Sequence, residues 1–461
     1  MNISFTELAQ FLGISLPSGT LEGKIGTIST DTRTIQPGDC FVALRGVSFD
    51  GHNFVPQAVA GGAAALVAER YFPEFAHVPQ FVVPNTLWAL GEIARLWRNK
   101  LAHIPLVAVV GSNGKTTVKE MTANILATRY RTLSTQGNLN NLVGVPLTLF
   151  RLEPTHEAAV LELGMNQAGE LERLVQITSP NVLVLTNITN AHVGMFGSLE
   201  GLYAAKTESL RAAPPTCKFV LNAEDELSQR AMAEFAGNHP VVRFGVCPEA
   251  DVRAECIEPL VPFGYRFVLV FPSGERAHVE LRMFGRHNVA NALAAAAVGA
   301  LCGVPTHNIA EALASFQPAS NRSEVEELNG WYLVKDYYNA SPAAVEQALR
   351  SLAEFSVPGR RYAVLGDMME LGDLEEYYHT RVGETAAQSG LHRLFTIGTR
   401  ARMIHAAASR HGLPSEHFEE IDDLAKALKM QLRAGDLLLM KASRLMKLER
   451  LYDLLKGTKS N

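Results

Sequence analysis

The chain runs to 461 residues, 47% hydrophobic and 19% charged, enough apolar material to core about three domains. A formal net charge of -5 excludes a general nucleic-acid surface, which needs a basic excess, but leaves room for a local phosphate site. Five scattered cysteines without C-x-x-C spacing, an N-terminus without a basic-then-apolar leader, and no apolar run of ~20 residues predict a soluble, cytoplasmic chain with reduced, buried thiols and no membrane insertion.

The first hundred residues read as a small mixed domain. DCFVAL (39–44), AALVAE (64–69) and PQFVVP (79–84) are short apolar strands. TLWALGEIARLWRNKL, from Thr86, is a helix with Leu87, Leu90, Ile93 and Leu96 assigned to one face. IPLVAVV (104–110) then starts a different pattern, a near-continuous apolar strand of the kind covered on both faces in a parallel sheet. AAVLELG (158–164), NVLVLTNI (181–188) and FVLNAE (219–224) repeat it between helical segments, which is the α/β doubly wound signature. PFGYRFVLVFPSGERAHVELRMFG (262–285) interrupts it as a β-hairpin insertion, and ANALAAAAVGALCGV (290–304) reads as a buried helix of small residues. After FQPASNRSE (316–324), the runs WYLVKDYY, RYAVLGDM, RLFTIG and DLLLMKAS alternate with helices as a second α/β unit. The predicted domains are 1–103, 104–318 and 319–461.

The stretch AVVGSNGKTTVKEM, from Ala108, follows the first buried strand and opens a helix whose Val118, Met121, Ile125 and Leu126 form an apolar stripe. A common ATP loop reads G-x-x-x-x-G-K-[ST], yet Val109 stands where its first glycine belongs. Gly111, Ser112, Asn113, Gly114, Lys115, Thr116 and Thr117 make a shortened version. Its glycines let backbone approach a phosphate at a helix N-terminus, Lys115 is placed for the β/γ-phosphates, and Thr116 offers a hydroxyl to Mg²⁺.

Other candidates admit a structural role as well as a functional one. Glu162 ends an apolar strand, a position that suits either a magnesium ligand or a cap. His192, in TNITNAHVGMFGS, follows another buried strand, and Lys206, in YAAKTESL, could be a solvated helix lysine. Asn288 and Asn291 lie three apart at a helix start, where two carboxamides can read an adenine edge or Asn288 can cap. Arg322 and Asp336 could each be one half of a surface ion pair.

With the G-x-x-G-K-T-T loop, LELG, N-I-x-x-A-H and H-N-x-x-N, the sequence resembles the Mur ligase family along its whole length. The resemblance implies three domains: a small mixed α/β domain binding a UDP-sugar precursor, a central P-loop-type doubly wound ATPase domain, and a C-terminal Rossmann-like domain receiving the amine. It implies ATP, two magnesium ions held by Thr116, Glu162, His192 and Lys206, and a Lys206 that is N6-carboxylated by CO₂. Forming that carbamate needs a neutral amine, so cations or burial must lower its pKa. Asn288 and Asn291 are implied as nucleotide contacts, and Arg322 and Asp336 as residues that meet ATP on domain closure. Asp31, Arg33, Gly46, Asp50, Gly51 and His52 line up with the UDP-sugar domain, and Asn138, Asn140 and Asn141, within 135–149, with the part that meets the UDP-linked precursor.

Two segments favour the last ligase in the series, which joins D-alanyl-D-alanine to UDP-N-acetylmuramoyl-tripeptide through an acyl phosphate. VLGDMMELG (364–372) resembles its signature, and LLMKASRLMKLE (438–449) its closing K-G-S-R-x-M-K-L-E. The D-N-P-R and K-G-H-E of the preceding enzyme are absent. Ser341, Ala442 and Leu445 depart from the expected Asn, Gly and small residue. A sibling ligase would need a different N-terminal domain, a P-loop switch the full-length loop. A monomer is expected.

Overall fold

The computed structural model describes residues 1–15, 23–46, 48–190 and 193–457. They form two compact units: Met1–Val109, Tyr130–Leu183 and Glu208–Cys217 in the first, Val110–Arg129, Val184–Thr207 and Lys218–Asn461 in the second.

In the first unit, Ile28–Ser29, Cys40–Val42, Ala65–Ala68 and Gln80–Val82 pair in that order as a parallel sheet. Phe41, Val55, Leu66 and Phe72 fill its core. The helix Thr86–Lys100 is capped by Asn85, whose side chain accepts from the Trp88 N–H at 2.8 Å. Its buried face is Ala89, Leu90, Ile93, Ala94, Leu96 and Trp97, while Leu87 is exposed. The expected Leu87–Leu96 stripe fails because steps of three residues precess around a helix of 3.6 residues per turn, so nine residues lead to the opposite face.

The strands Leu106–Val110, Ala158–Glu162 and Thr132–Ser134 pair in parallel, in that spatial order. Every residue of the first two is buried, which explains their unbroken apolar sequence. The register sets Val109 opposite Glu162, so Glu162 lies level with the C-terminal end of the neighbouring strand. Arg98 fixes this strand from behind: it is 2% exposed and donates to the carbonyls of Leu101 at 2.6 Å and Thr178 at 3.0 Å and to Asn181 Oδ1 at 3.1 Å. Asn181 Oδ1 in turn accepts from the Leu106 N–H at 2.9 Å.

The second unit carries two sheets. Lys218–Asn222, Val241–Gly245 and Val252–Pro259 are parallel, and Tyr265–Val270 and Arg276–Leu281 follow antiparallel. The expected hairpin is therefore present, but it continues the sheet as its edge instead of interrupting it. The helix His287–Leu301 packs on the helix Lys115–Ala127 so closely that a Cβ on Gly299 would lie 2.7 Å from Ile125 Cγ2. That approach accounts for its run of alanines. The other sheet orders Glu324–Leu328, Trp331–Lys335, Leu437–Lys441, Arg361–Gly366, Arg393–Ile397 and Ser415–Phe418, parallel except for the first pair.

The α/β class read from the sequence is the class observed. The thiols follow the expectation only in part. All five are free, and burial pushes those of Cys40 and Cys217 up to about 12, but Cys256 is exposed at an irregularity of its strand. No helix among the described residues is long and apolar enough to cross a membrane.

Replacing Arg98 by Met keeps the packing volume but removes the side-chain donor from the carbonyls of Leu101 and Thr178, while Asn181 Oδ1 keeps the Leu106 N–H. The Arg98→Met variant is expected to lose about 2–4 kcal/mol of unfolding free energy in chemical denaturation, and an unchanged midpoint would refute this role.

Candidate functional site

The glycine loop is held by the segment after a neighbouring strand, residues 186–189. The Ser112 N–H donates to the Asn187 carbonyl at 2.9 Å and the Asn113 N–H to Asn187 Oδ1 at 3.0 Å. Thr186 Oγ1 donates to the Asn113 carbonyl at 2.6 Å, and Asn113 Nδ2 to Thr189 Oγ1 at 2.9 Å. The backbone N–H groups of Ser112 and Asn113, expected among the nucleotide contacts, are thus committed to the loop's own shape. The helix start beyond them, where Gly114 precedes Lys115, has no side-chain cap over its first-turn N–H groups, the arrangement that suits an anion. Gly111 (φ 142°) and Gly114 (φ 82°) both lie in the left-handed region. A Cβ on either would collide, with Thr186 Oγ1 and Asn291 Oδ1 respectively.

Two lysines give the loop its electrostatics. Lys115 Nζ donates to the carbonyls of Gly111 at 2.9 Å and Ser112 at 3.0 Å, folded back on the turn. Lys206, 3% exposed, is not the solvated helix lysine its sequence allows. Burial, and then the charge of Lys115, hold its amine well below the usual lysine range. Thr116 is buried in the helix's first turn, and Thr117 follows it half-buried.

The asparagine pair divides its work. Asn288 Nδ2 donates to the Phe284 carbonyl at 2.8 Å, and its Oδ1 accepts from Asn291 Nδ2 at 2.9 Å. Asn288 thus spends one N–H and one oxygen lone pair on the protein and orients Asn291, whose Oδ1 faces Gly114. Asp336 is likewise occupied, accepting from Lys441 Nζ at 2.6 Å and the Ser323 N–H at 3.1 Å. Arg322 stacks 3.8 Å from the Tyr338 ring centroid. His287 lies in the field of Asp336 and Lys441; burial lowers its imidazole to about 4, and its Nδ1 has no hydrogen-bond partner among the described residues. Ser341 Oγ donates to Asn113 Oδ1 at 3.1 Å, and the Gly194 N–H to the Glu370 carbonyl at 3.2 Å. The second unit thus gathers the loop, Lys206, Asn291 and Ser341. His192 lies outside the described residues.

In the first unit, Glu162 is 4% exposed, accepts from Asn140 Nδ2 at 2.8 Å, and its N–H donates to Thr135 Oγ1 at 3.0 Å. Asn141 caps a helix start through the Val143 and Gly144 N–H groups, and Asn138 is exposed. Asp31 and Arg33 form an exposed fork, with Arg33 Nε and Nη2 donating to the two carboxylate oxygens at 2.9 and 2.6 Å; these bonds lower the Asp31 carboxyl to about 2. Asp50 accepts from the His52 N–H at 3.0 Å and lies 2.6 Å from its Nδ1. His52 Nε2 accepts from the Glu69 N–H at 2.9 Å, so Nδ1 carries the ring proton and Asp50 accepts it. The Gly46 N–H donates to the Phe49 carbonyl at 2.9 Å, and Gly51 meets the Leu44 backbone too closely for any side chain.

Sequence reading missed the brace 186–189, Lys441, Tyr338 and the Ser341–Asn113 bond. The brace had a signal, since N-I-T-N was visible beside His192, but its partners lie more than seventy residues away. Among the described residues no three His, Cys, Asp or Glu side chains cluster as metal ligands.

Three family models match the chain: the Mur ligase family catalytic domain over residues 24–98, the Mur ligase middle domain over 109–299, and the Mur ligase glutamate ligase domain over 321–444. The chain is 37% identical to the UDP-N-acetylmuramoyl-tripeptide–D-alanyl-D-alanine ligase of Escherichia coli (strain K12), covering 96% of each chain. It is 34% identical to the enzyme of the same name from Bacillus subtilis (strain 168), covering 92% of this chain and 91% of that one. It is similar to a crystal structure of MurF from Acinetobacter baumannii, with a TM-score of 0.90 and 32% identity over 99% of both chains. It also resembles MurF ligase from Thermotoga maritima in complex with ADP, with a TM-score of 0.84 and 26% identity over 96% of this chain and 99% of that one.

Gly114→Ala is expected to weaken nucleotide binding by at least about tenfold in calorimetric titration, through strain at a positive φ and the clash with Asn291. His287, with a folded pKa of about 4, is neutral in the native state at pH 7. Its folded pKa lies below the unfolded one, so its contribution is whole above about pH 6.5 and is lost as pH falls through about 4. A His287→Gln variant should show a flatter stability profile across that window in denaturation at stepped pH.

Proposed function

We infer the reaction from one premise: the chain belongs to the Mur ligase family. It is an ATP-dependent ligase that joins D-alanyl-D-alanine to UDP-N-acetylmuramoyl-tripeptide in peptidoglycan precursor synthesis, as its relatives' names describe. The observation that carries the chemistry is the pair of lysines at the glycine loop, one charged on the turn and one buried in its field.

A carboxylate and an amine do not condense in water until the carboxylate is activated. In this reading the γ-phosphoryl of ATP passes to the tripeptide's terminal carboxylate, ADP leaves, and an acyl phosphate forms. The dipeptide's amine then attacks the acyl carbon, the C–O bond to phosphate breaks, and phosphate departs with an amide made. Lys115 draws its ammonium from the loop carbonyls to the β/γ-phosphates, where it offsets the charge on the transferring group. The first-turn N–H groups after Gly114 hold the phosphate oxygens. Asn291, set by Asn288, borders the loop on the nucleotide side.

Each unit offers an oxygen hard enough for magnesium: in the second the buried Thr116 hydroxyl, in the first the buried Glu162 carboxylate oriented by Asn140. Magnesium, when bound, neutralises phosphate charge. Lys206, its amine already favoured neutral, adds to CO₂ and releases a proton, giving a carbamate anion with two oxygens in place of a cation. His192 completes this set as a proposal from the family pattern. Arg322 and Asp336 belong to nucleotide closure, and Asp31, Arg33, Gly46, Asp50, Asn138, Asn140 and Asn141 to the UDP-linked precursor. The domain limits 1–103, 104–318 and 319–461 follow the same reading, as does a monomer acting in the cytoplasm.

Mass analysis of products from a panel of UDP-muramoyl peptides and amine acceptors tests the assignment. The expected result is one new amide per ATP consumed, formed with D-alanyl-D-alanine; ATP hydrolysis without an amide would overturn it. The Lys206→Ala variant should lose at least about 100-fold in turnover, with partial recovery in added acetate or formate. Full activity without rescue would remove the carbamate from the mechanism.

A further inference from the structure

The brace that shapes the glycine loop is itself held in place. Residues 186–189 bind the loop at Ser112 and Asn113, and their backbone is anchored in turn to residues 222–228, at and after the end of the strand Lys218–Asn222. Asn222 Nδ2 donates to the Thr186 carbonyl at 3.0 Å, while Asn222 Oδ1 accepts from the Glu224 N–H at 2.9 Å. Asp225 Oδ2 accepts from the Ile188 N–H at 3.0 Å. All of these residues belong to the second unit.

One oxygen of Asp225 serves two partners. Asp225 is the N-cap of the helix Glu226–Phe235, where Oδ2 accepts from the Ser228 N–H at 2.9 Å and from the Ser228 hydroxyl at 2.5 Å. Capping alone is satisfied by a side chain as short as serine, and it leaves the bond to Ile188, 37 positions earlier, unexplained. Burial raises the Asp225 carboxyl above its usual value, and the donors gathered on Oδ2 offset that cost. Ile188 is the centre of the brace. The residue before it, Asn187, accepts from the Ser112 and Asn113 N–H groups. The residue after it, Thr189, accepts from Asn113 Nδ2 at 2.9 Å and from Ser112 Oγ at 3.2 Å. Moving Ile188 therefore moves the acceptors on which both loop residues rest, and with them the Ser112 carbonyl that receives Lys115.

We propose that Asp225 and Asn222 are positioning residues of the nucleotide site, which act through Ile188 and Thr186 to hold the glycine loop in the shape that receives a triphosphate. The proposal rests on the ligase reading above.

The test separates capping from bracing in the full-length enzyme. Asp225→Ser keeps a capping oxygen but is too short to reach Ile188. It should raise the KM for ATP about 5–10-fold, the range for one lost charge-assisted hydrogen bond, and leave the KM of the UDP-linked tripeptide and of D-alanyl-D-alanine within about twofold. Its Tm should stay close to that of wild type. Asp225→Ala should show the same rise with a lowered Tm, because the cap is lost as well. Asp225→Asn, of equal length and with one oxygen retained, should recover most of the ATP affinity. Asn222→Asp sets an acceptor against the Thr186 carbonyl and should raise the KM for ATP in the same way. In Asp225→Ser combined with Thr186→Val, the KM increase should fall short of the product of the single effects, since both act on one brace. Calorimetric titration with ADP keeps this proposal apart from the ligase reading. An Asp225→Ser enzyme that binds ADP as tightly as wild type, or that loses affinity for all three substrates equally, would overturn the positioning role. Wild type that binds ADP but makes no amide would overturn the ligase reading alone.

Discussion

A phosphate loop with only two residues between its glycines has little backbone of its own to define a shape. Here the shape comes from outside the loop, from residues 186–189, which bind both its N–H and C=O groups. Gly111 and Gly114 are glycines because this brace and Asn291 leave no room for a Cβ, and because both adopt positive φ. The N–H groups that a longer loop would offer to phosphate are partly consumed in the bracing. The groups left open to an anion are those of the helix start and Lys115.

This arrangement places unusual weight on the lysines. Lys115 rests on two loop carbonyls, a position from which its charge reaches the phosphates and also Lys206. Burial first, and then repulsion from Lys115, lower the pKa of the Lys206 amine well below the usual lysine range. Burial at position 206 thus favours the neutral amine more than a solvated helix position would. In the first unit the buried Glu162 side chain accepts a hydrogen bond from Asn140 Nδ2, which satisfies one of its oxygens.

Ser341, Ala442 and Leu445 lie in the connections around the six-stranded sheet of the second unit. Ser341 serves two roles there, capping the helix Pro342–Glu354 and reaching Asn113. Substitution of the usual Asn by Ser keeps a short side chain able to do both. Leu445 is 73% exposed at the edge of a small cavity lined also by residues 339–341 and 369–371. Ala442 fits against Gly366, where a side chain on the glycine would come within 2.7 Å of the alanine Cβ.

The sequence by itself determined the elements and the reaction family. Apolar runs such as 104–110 and 158–162 could only be strands covered on both faces, and G-x-x-G-K-T-T between a strand and a helix could only be a short phosphate turn. Local rules suffice for these, because strand burial, helix capping and glycine freedom are decided within a few residues. Tertiary structure alone decided the rest. It made Lys206 a buried amine, had Asn288 orient Asn291, and exposed Leu87 although its spacing had suggested a core face. It also joined the loop to residues 186–189 and to Ser341, 228 positions away. Desolvation and long-range hydrogen bonds depend on what the rest of the chain brings alongside, and no window of sequence contains that information.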